Sequence, residues 1–104
     1  MKLYAYCLAE GLDTLLHTCS GISGAPIKLI TVGDISILVS DSGMDVVPVT
    51  PENALAHAAV VRSVLDQTTP LPFRFGTLVT EEQLRNYIIA HQPALKTKIA
   101  HVHG

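Results

Sequence analysis

Apolar residues in the first stretch of the chain recur every second position. Leu3, Ala5, Cys7 and Ala9 fall on one side, and Tyr4, Tyr6 and Leu8 fall on the other. A period of two with two tyrosines predicts a strand over Lys2–Ala9. The same period returns in Ile27–Val32 and in Ile35–Ser40, separated by Gly33 and Asp34. Two β-branched runs around a two-residue loop containing glycine predict a hairpin. Pairing across that loop sets Val32 opposite Ile35, Ile30 opposite Ile37 and Thr31 opposite Ser36, so one face of the hairpin is apolar. Residues 10–26 are glycine-rich and read as a loop. Within them Asp13–Cys19 has the spacing of one or two helical turns capped by Asp13.

From residue 50 the period changes to that of a helix. Thr50-Pro51-Glu52 supplies a capping hydroxyl, a proline at the first helical position and an early acid, which predicts a helix to about Gln67. On a helical wheel Ala54, His57, Ala58, Val61, Val64 and Leu65 share one arc, so His57 lies in the apolar stripe. Pro70–Thr77 reads as a short strand at a sheet edge, where its prolines are tolerated. Alternation puts Leu71, Phe73 and Phe75 on one face, toward His57, and Pro72 and Arg74 on the other. Thr80-Glu81-Glu82-Gln83 is a capping box that starts a second helix with Leu84, Tyr87, Ile88 and His91 inward. Pro93 is expected to break or kink it. Leu95, Ile99 and Val102 then mark a last helical stretch. The order of elements predicts an α+β fold, a ferredoxin-like antiparallel sheet of about four strands with the helices packed on one face. Tyr4, Tyr6 and Arg74 then project from the free face, as candidate partner-binding residues.

Composition changes that picture in one respect. A chain of 104 residues, 48% apolar with a mean hydropathy of +0.37, fits one domain with one core. Such a domain has too little interior for that much apolar side chain, and an exposed apolar patch usually marks a partner or a self-association surface. No apolar run approaches the roughly 20 residues of a membrane span. Seven basic against nine acidic residues, a formal charge of -2 and no basic cluster argue against nucleic acid and anionic lipid as partners. The amino-terminal residues make a poor signal peptide, and Cys7 and Cys19 are too few and too far apart for a disulfide framework or a C-x-x-C pair. Two free thiols in a reducing cytoplasm are expected.

The residues that carry chemistry elsewhere have ordinary explanations here. His57 and Arg74 resemble a base and a cationic stabiliser, but alternation separates them, and a core histidine bonded to a backbone carbonyl or a neighbouring side chain accounts for His57. Arg74 is either a solvated strand residue or a partner contact, since arginine is enriched at interface hot spots. His101-Val102-His103 is an H-x-H pair near His91, without the further ligands of a closed metal site. The acids sit in turns and first helical turns, where capping and the helix dipole explain them. Nucleotide and acyl-transfer motifs do not occur. A non-enzymatic domain without cofactor or metal is the expectation.

Thr50–His57, continuing through Val60 and Val61 to Thr69-Pro70-Leu71-Pro72-Phe73-Arg74-Phe75-Gly76-Thr77, resembles the most distinctive stretch of the gas vesicle synthesis proteins of the L/F type. Leu3–Tyr6, Ile35–Ser40 and Thr80–Gln83 are similar to that family's first strand, its strand before an acidic turn, and its following helix. The resemblance is to the family's N-terminal domain and spans essentially the whole chain. The family's members usually follow this domain with a second α+β domain, so one family domain is expected here and the second is not. The resemblance implies a protein of gas vesicle assembly, located in the cytoplasm at the vesicle, that contacts the shell protein or other accessory proteins. It carries over His57, Pro72, Phe73, Phe75 and Gly76 as motif positions of structural weight and Arg74 as a contact residue. A reading from another class is a free-standing dimeric module that pairs sheet to sheet and holds a small ligand or a partner protein.

Overall fold

The first strand lies inside the sheet, and the fold is built around it. In this computed structural model, which describes residues 2–10, 21–43, 46–66, 68 and 70–103, and the side chains of residues 81–91 and 94 in the last helix, β1 runs over Lys2–Glu10. A 3-10 turn at Ile22–Gly24 precedes β2 (Lys28–Val32) and β3 (Ile35–Ser42); α1 (Pro51–Leu65), β4 (Leu71–Pro72), β5 (Leu78–Val79) and α2 (Glu81–His103) follow. The sheet is antiparallel in the order β2-β3-β1-β4, with β5 also pairing β1. β1 thus inserts between β3 and β4, the split arrangement of ferredoxin-like sheets. The α+β class and the antiparallel sheet are those expected.

The hairpin has the expected register: Val32 pairs with Ile35, Ile30 with Ile37 and Thr31 with Ser36. Gly33 sits at φ 60°, a conformation that a first loop residue of a II′ turn requires and that glycine adopts without strain. Thr50 caps α1, its side chain accepting from the Asn53 N–H at 3.2 Å, and Pro51 opens the helix. The capping box of α2 closes reciprocally, with Thr80 Oγ1 accepting from Gln83 N at 3.1 Å and Gln83 Oε1 accepting from Thr80 N at 3.0 Å.

The helices, however, lie on opposite faces of the sheet. α1 packs Val60 and Val64 against Tyr4, Tyr6, Cys7 and Leu38, while α2 packs Leu84 and Ile88 against Leu3, Ala5, Leu8 and Ile37. There is no free face, and Tyr4 and Tyr6 are 1% and 0% exposed rather than open to a partner. Sheet-to-sheet pairing is excluded by the same cover. A β-bulge explains why both tyrosines and Cys7 share the α1 side. Ala5 pairs with Val39 and Cys7 with Leu38, so Tyr6 is the extra residue and the alternation inverts beyond it.

Four other expectations are corrected. The strand expected over Pro70–Thr77 is split into β4 and β5 by a turn at 74–77, so Phe73 joins the α2 side and Phe75 the α1 side. α1 is rotated from the expected arc. Ala56, His57, Val60 and Val64 face inward, and Ala54, Ala58 and Leu65 face outward. A helix this apolar on all sides is oriented by what its polar group bonds, which for α1 is His57. α2 continues through Pro93 to His103. A proline inside a helix removes one helical hydrogen bond, at a cost of about 3 kcal/mol, and good helix formers on either side carry the helix past it. In α2, Tyr87 is half-exposed and stacks on exposed His91 at 4.7 Å instead of facing the core. Cys7 is buried. Asp13–Cys19 and the side chains of His101 and His103 lie outside the described residues.

Candidate functional site

A buried polar cluster ties β1, α1 and the β4–β5 loop together. Tyr4 Oη accepts the Gly76 N–H at 3.0 Å and lies 2.8 Å from His57 Nδ1. The phenol can donate its own proton to Nδ1 while it accepts from Gly76, and the neutral imidazole then carries its hydrogen on Nε2. The Phe73 backbone also bonds the ring, in the sense that favours a donating histidine. The rings of Tyr4, Tyr6 and Phe75 surround His57 at centroid distances of 5.6, 5.7 and 5.8 Å.

Burial lowers the His57 pKa, the Phe73 bond only partly opposing it, so the imidazole is neutral near pH 7. Tyr4 is shifted upward by burial and, less, by Tyr6, against the Gly76 bond, and stays protonated. Tyr6 anchors a second point of the same layer. Its Oη accepts the Ile22 N–H at 2.9 Å and shares a hydrogen bond with Ser40 Oγ at 2.7 Å. No buried side-chain polar atom among the described residues lacks a partner. Through Tyr4, which bonds both His57 and Gly76, the arrangement acts as a latch that fixes α1 and the β4–β5 loop on the sheet.

What the latch holds is the loop that carries Arg74. The Phe73 N–H bonds the Tyr6 carbonyl at 2.9 Å, and Arg74 C=O accepts from Thr77 N at 3.2 Å and Thr77 Oγ1 at 2.6 Å. Gly76, at φ 89°, occupies the third position of that turn, where left-handed backbone favours glycine. Pro72, exposed, pairs with Cys7. Arg74 is exposed at the turn and enters neither the Lys28–Asp41 nor the Glu81–Arg85 ion pair.

Beside the loop, α1 walls an open groove of about 650 Å³ in which Leu55, Ala58, Ala59, Val61, Leu65 and Pro72 supply the apolar lining and Arg62 a charge, and which His57 also lines. Leu55 and Leu65 are 71% and 60% exposed, and Val46 and Val49 just before α1 are 75% and 86% exposed. This is the apolar surface that the composition calls for, placed on a helix instead of on the sheet.

Of the residues singled out in the sequence, His57, Phe75 and Gly76 come together around Tyr4, Phe73 joins by its backbone, and Arg74 stands outside on the same loop. Tyr4 and Tyr6 belong to the support and not to the surface. Ser40, Leu55 and Leu65 were not singled out. The signal for Ser40 is that a tyrosine on a covered strand face needs a polar neighbour across the sheet; for the leucines it is that α1 has more apolar residues than one face can bury.

Among the described residues no group of three His, Cys, Asp or Glu side chains is placed to hold a metal ion, and no helix is long and apolar enough to cross a membrane. No curated protein matches the chain. The fold matches the crystal structure of gas vesicle protein GvpF from Microcystis aeruginosa with a TM-score of 0.86 at 22% identity, over 99% of this chain and 44% of that one. GvpF from Anabaena sp. PCC7120 matches with a TM-score of 0.86 at 19% identity, over the same shares. The chain therefore spans less than half the length of these relatives. At such identity they show the fold; the lineage rests on the sequence pattern of the gas vesicle synthesis protein GvpL/GvpF family, which matches residues 2–104, and the chain belongs to that family.

Proposed function

We propose that this domain is a non-enzymatic protein-binding module of gas vesicle assembly, which docks a shell or accessory gas vesicle protein on the outer face of α1 and the Arg74 turn. The exposed apolar face of α1 is the observation that carries this reading. Leu55, Ala58, Ala59, Arg62 and Leu65 recur at intervals of three and four residues along it, the spacing with which one helix receives another. Two leucines flanking two alanines leave a depression that a partner's apolar ridge fills. Arg62, which lines it, and exposed Arg74 on the loop after Pro72 favour acidic residues on that partner. The His57 latch gives the surface its rigidity, which lowers the ordering cost of binding. The burial of His57 and its bond to Tyr4 support a structural role for it.

Co-expression with gas vesicle shell and accessory proteins, followed by affinity capture, tests the proposal. The wild-type chain is expected to retain a vesicle protein, and Leu55→Asp with Leu65→Asp, or Arg74→Glu, to release it while the circular dichroism spectrum is unchanged. Capture that survives all three substitutions refutes the docking face, and a folded chain that captures no vesicle protein refutes the function.

A further inference from the structure

The two edges of the sheet are finished differently. On the side of β4 and β5 the edge strands are two residues each, broken by the Arg74–Thr77 turn and carrying Pro72, with Pro70 just before. Short strands and prolines are the means by which natural proteins stop a sheet from growing. The β2 edge has none of them within its length: Lys28–Val32 is five residues of Lys, Leu, Ile, Thr and Val, without bulge or proline, paired on one side with β3.

Hydrogen-bond direction follows from the register. A two-residue loop makes Val32 and Ile35 the bonded closing pair, and bonded pairs alternate with non-bonded ones along an antiparallel ladder. Val32, Ile30 and Lys28 therefore turn their backbone groups toward β3, and Thr31 and Leu29 turn theirs outward. Among the described residues nothing pairs with those outward groups. Lys28, the residue that would repel an incoming strand, is held to Asp41 by a 2.7 Å ion pair. Leu29 and Ile30 are half-buried, one packed toward each face of the sheet.

We propose that β2 is a self-pairing edge, at which two copies of this chain join antiparallel about a two-fold axis at Ile30 into one continuous sheet. The sequence is complementary to itself in that register. Leu29 and Thr31 of one copy exchange backbone hydrogen bonds with Thr31 and Leu29 of the other, Ile30 meets Ile30, and Lys28 meets Val32, so no like charges face each other. The pairing leaves the outer face of α1 clear, and its success or failure is independent of the partner bound there.

Sedimentation equilibrium of the whole chain, with amide hydrogen exchange at several concentrations, tests this. The expected result is a reversible dimer in which exchange at Leu29 and Thr31 slows as concentration rises, while exchange elsewhere at the surface does not. Thr31→Pro removes an outward donor that the β3 ladder does not use; with two cross-edge bonds lost per dimer, at the usual net strength of such bonds, dissociation should strengthen about 30-fold. A chain that stays monomeric at millimolar concentration overturns the proposal. So does a dimer without concentration-dependent protection at Leu29 and Thr31, or one that Leu55→Asp dissolves and a folded Thr31→Pro does not. The exchange measurement on the wild-type chain decides the matter even if Thr31→Pro fails to fold.

Discussion

Replacing Tyr4 by phenylalanine removes one oxygen and tests the latch directly. The ring stays, so the packing against Val60, Val64 and Phe75 is retained, and what is lost is the bond to His57 Nδ1 at 2.8 Å and the bond from Gly76 N–H at 3.0 Å. Each lost bond costs about 1 kcal/mol net, and each buried group left unsatisfied costs about 1–3 kcal/mol. Gly76 is exposed and its N–H recovers water, whereas His57 is 9% exposed and recovers little. The expected loss is about 2–4 kcal/mol, a large part of the roughly 5–15 kcal/mol that stabilises a small domain. Urea denaturation followed by circular dichroism should show the midpoint falling by about 1–2 M at an unchanged slope near 2 kcal/mol per M. A double-mutant cycle with His57→Ala isolates the pair, and the two losses should fall short of additivity by about 1 kcal/mol or more. A loss under about 0.5 kcal/mol, or two losses that simply add, would mean that the tyrosine and histidine are neighbours without being coupled.

Acid should act through the same ring: the folded protein holds the His57 pKa below its ordinary value, so below about pH 6.5 the unfolded chain binds a proton that the folded one refuses. Stability is therefore full above that pH and falls as pH drops toward the folded-state pKa; thermal unfolding between pH 7.5 and 5 should record a declining midpoint, and His57→Gln should flatten the decline relative to wild type. Gly76→Ala meets open space but forces a residue with a Cβ to φ 89°, so a loss of about 1 kcal/mol by urea titration is expected, from backbone strain alone. An unchanged midpoint for that variant would show that the turn can relax without glycine.

Local signals in the sequence carried a large part of this fold. The hairpin register, the Thr50 cap and the Thr80–Gln83 box each depend on a few adjacent residues, and all three are found where the sequence places them. His57 was legible for the same reason, as a polar residue within an apolar stretch of helix. The features that escaped depend on the rest of the molecule. A bulge with no glycine leaves no mark in the pattern, and the one at Tyr6 moved Cys7 to the other face. The rotation of α1 was hidden because an apolar residue lies on nearly every side of it, so the bond between His57 and Tyr4 decides which side turns in. The break at 73–77 was hidden because Phe-Arg-Phe alternates well; the positive φ of Gly76 is what ends the strand. Tyr4 and Tyr6 were placed on a free face only because both helices were put on the other; α1 covers them instead, and Ser40, His57 and two backbone N–H groups satisfy their hydroxyls.

The position of β1 at the centre of the sheet bears on the order in which the molecule assembles. This strand can complete nothing on its own. Its neighbour β3 begins at Ile35, and β4 and β5 begin at Leu71 and Leu78. The bonds of Tyr4 close spans of 53 and 72 residues of the 104-residue chain. Contacts so distant along the chain carry their loop-closure entropy before any return, which slows folding and makes it all-or-none. During synthesis Leu3–Ala9, the most apolar and most deeply buried strand, waits uncovered until β5 has emerged. A truncation before Val79 removes the pairing of β5 with β1 and leaves a sticky fragment in place of a smaller domain.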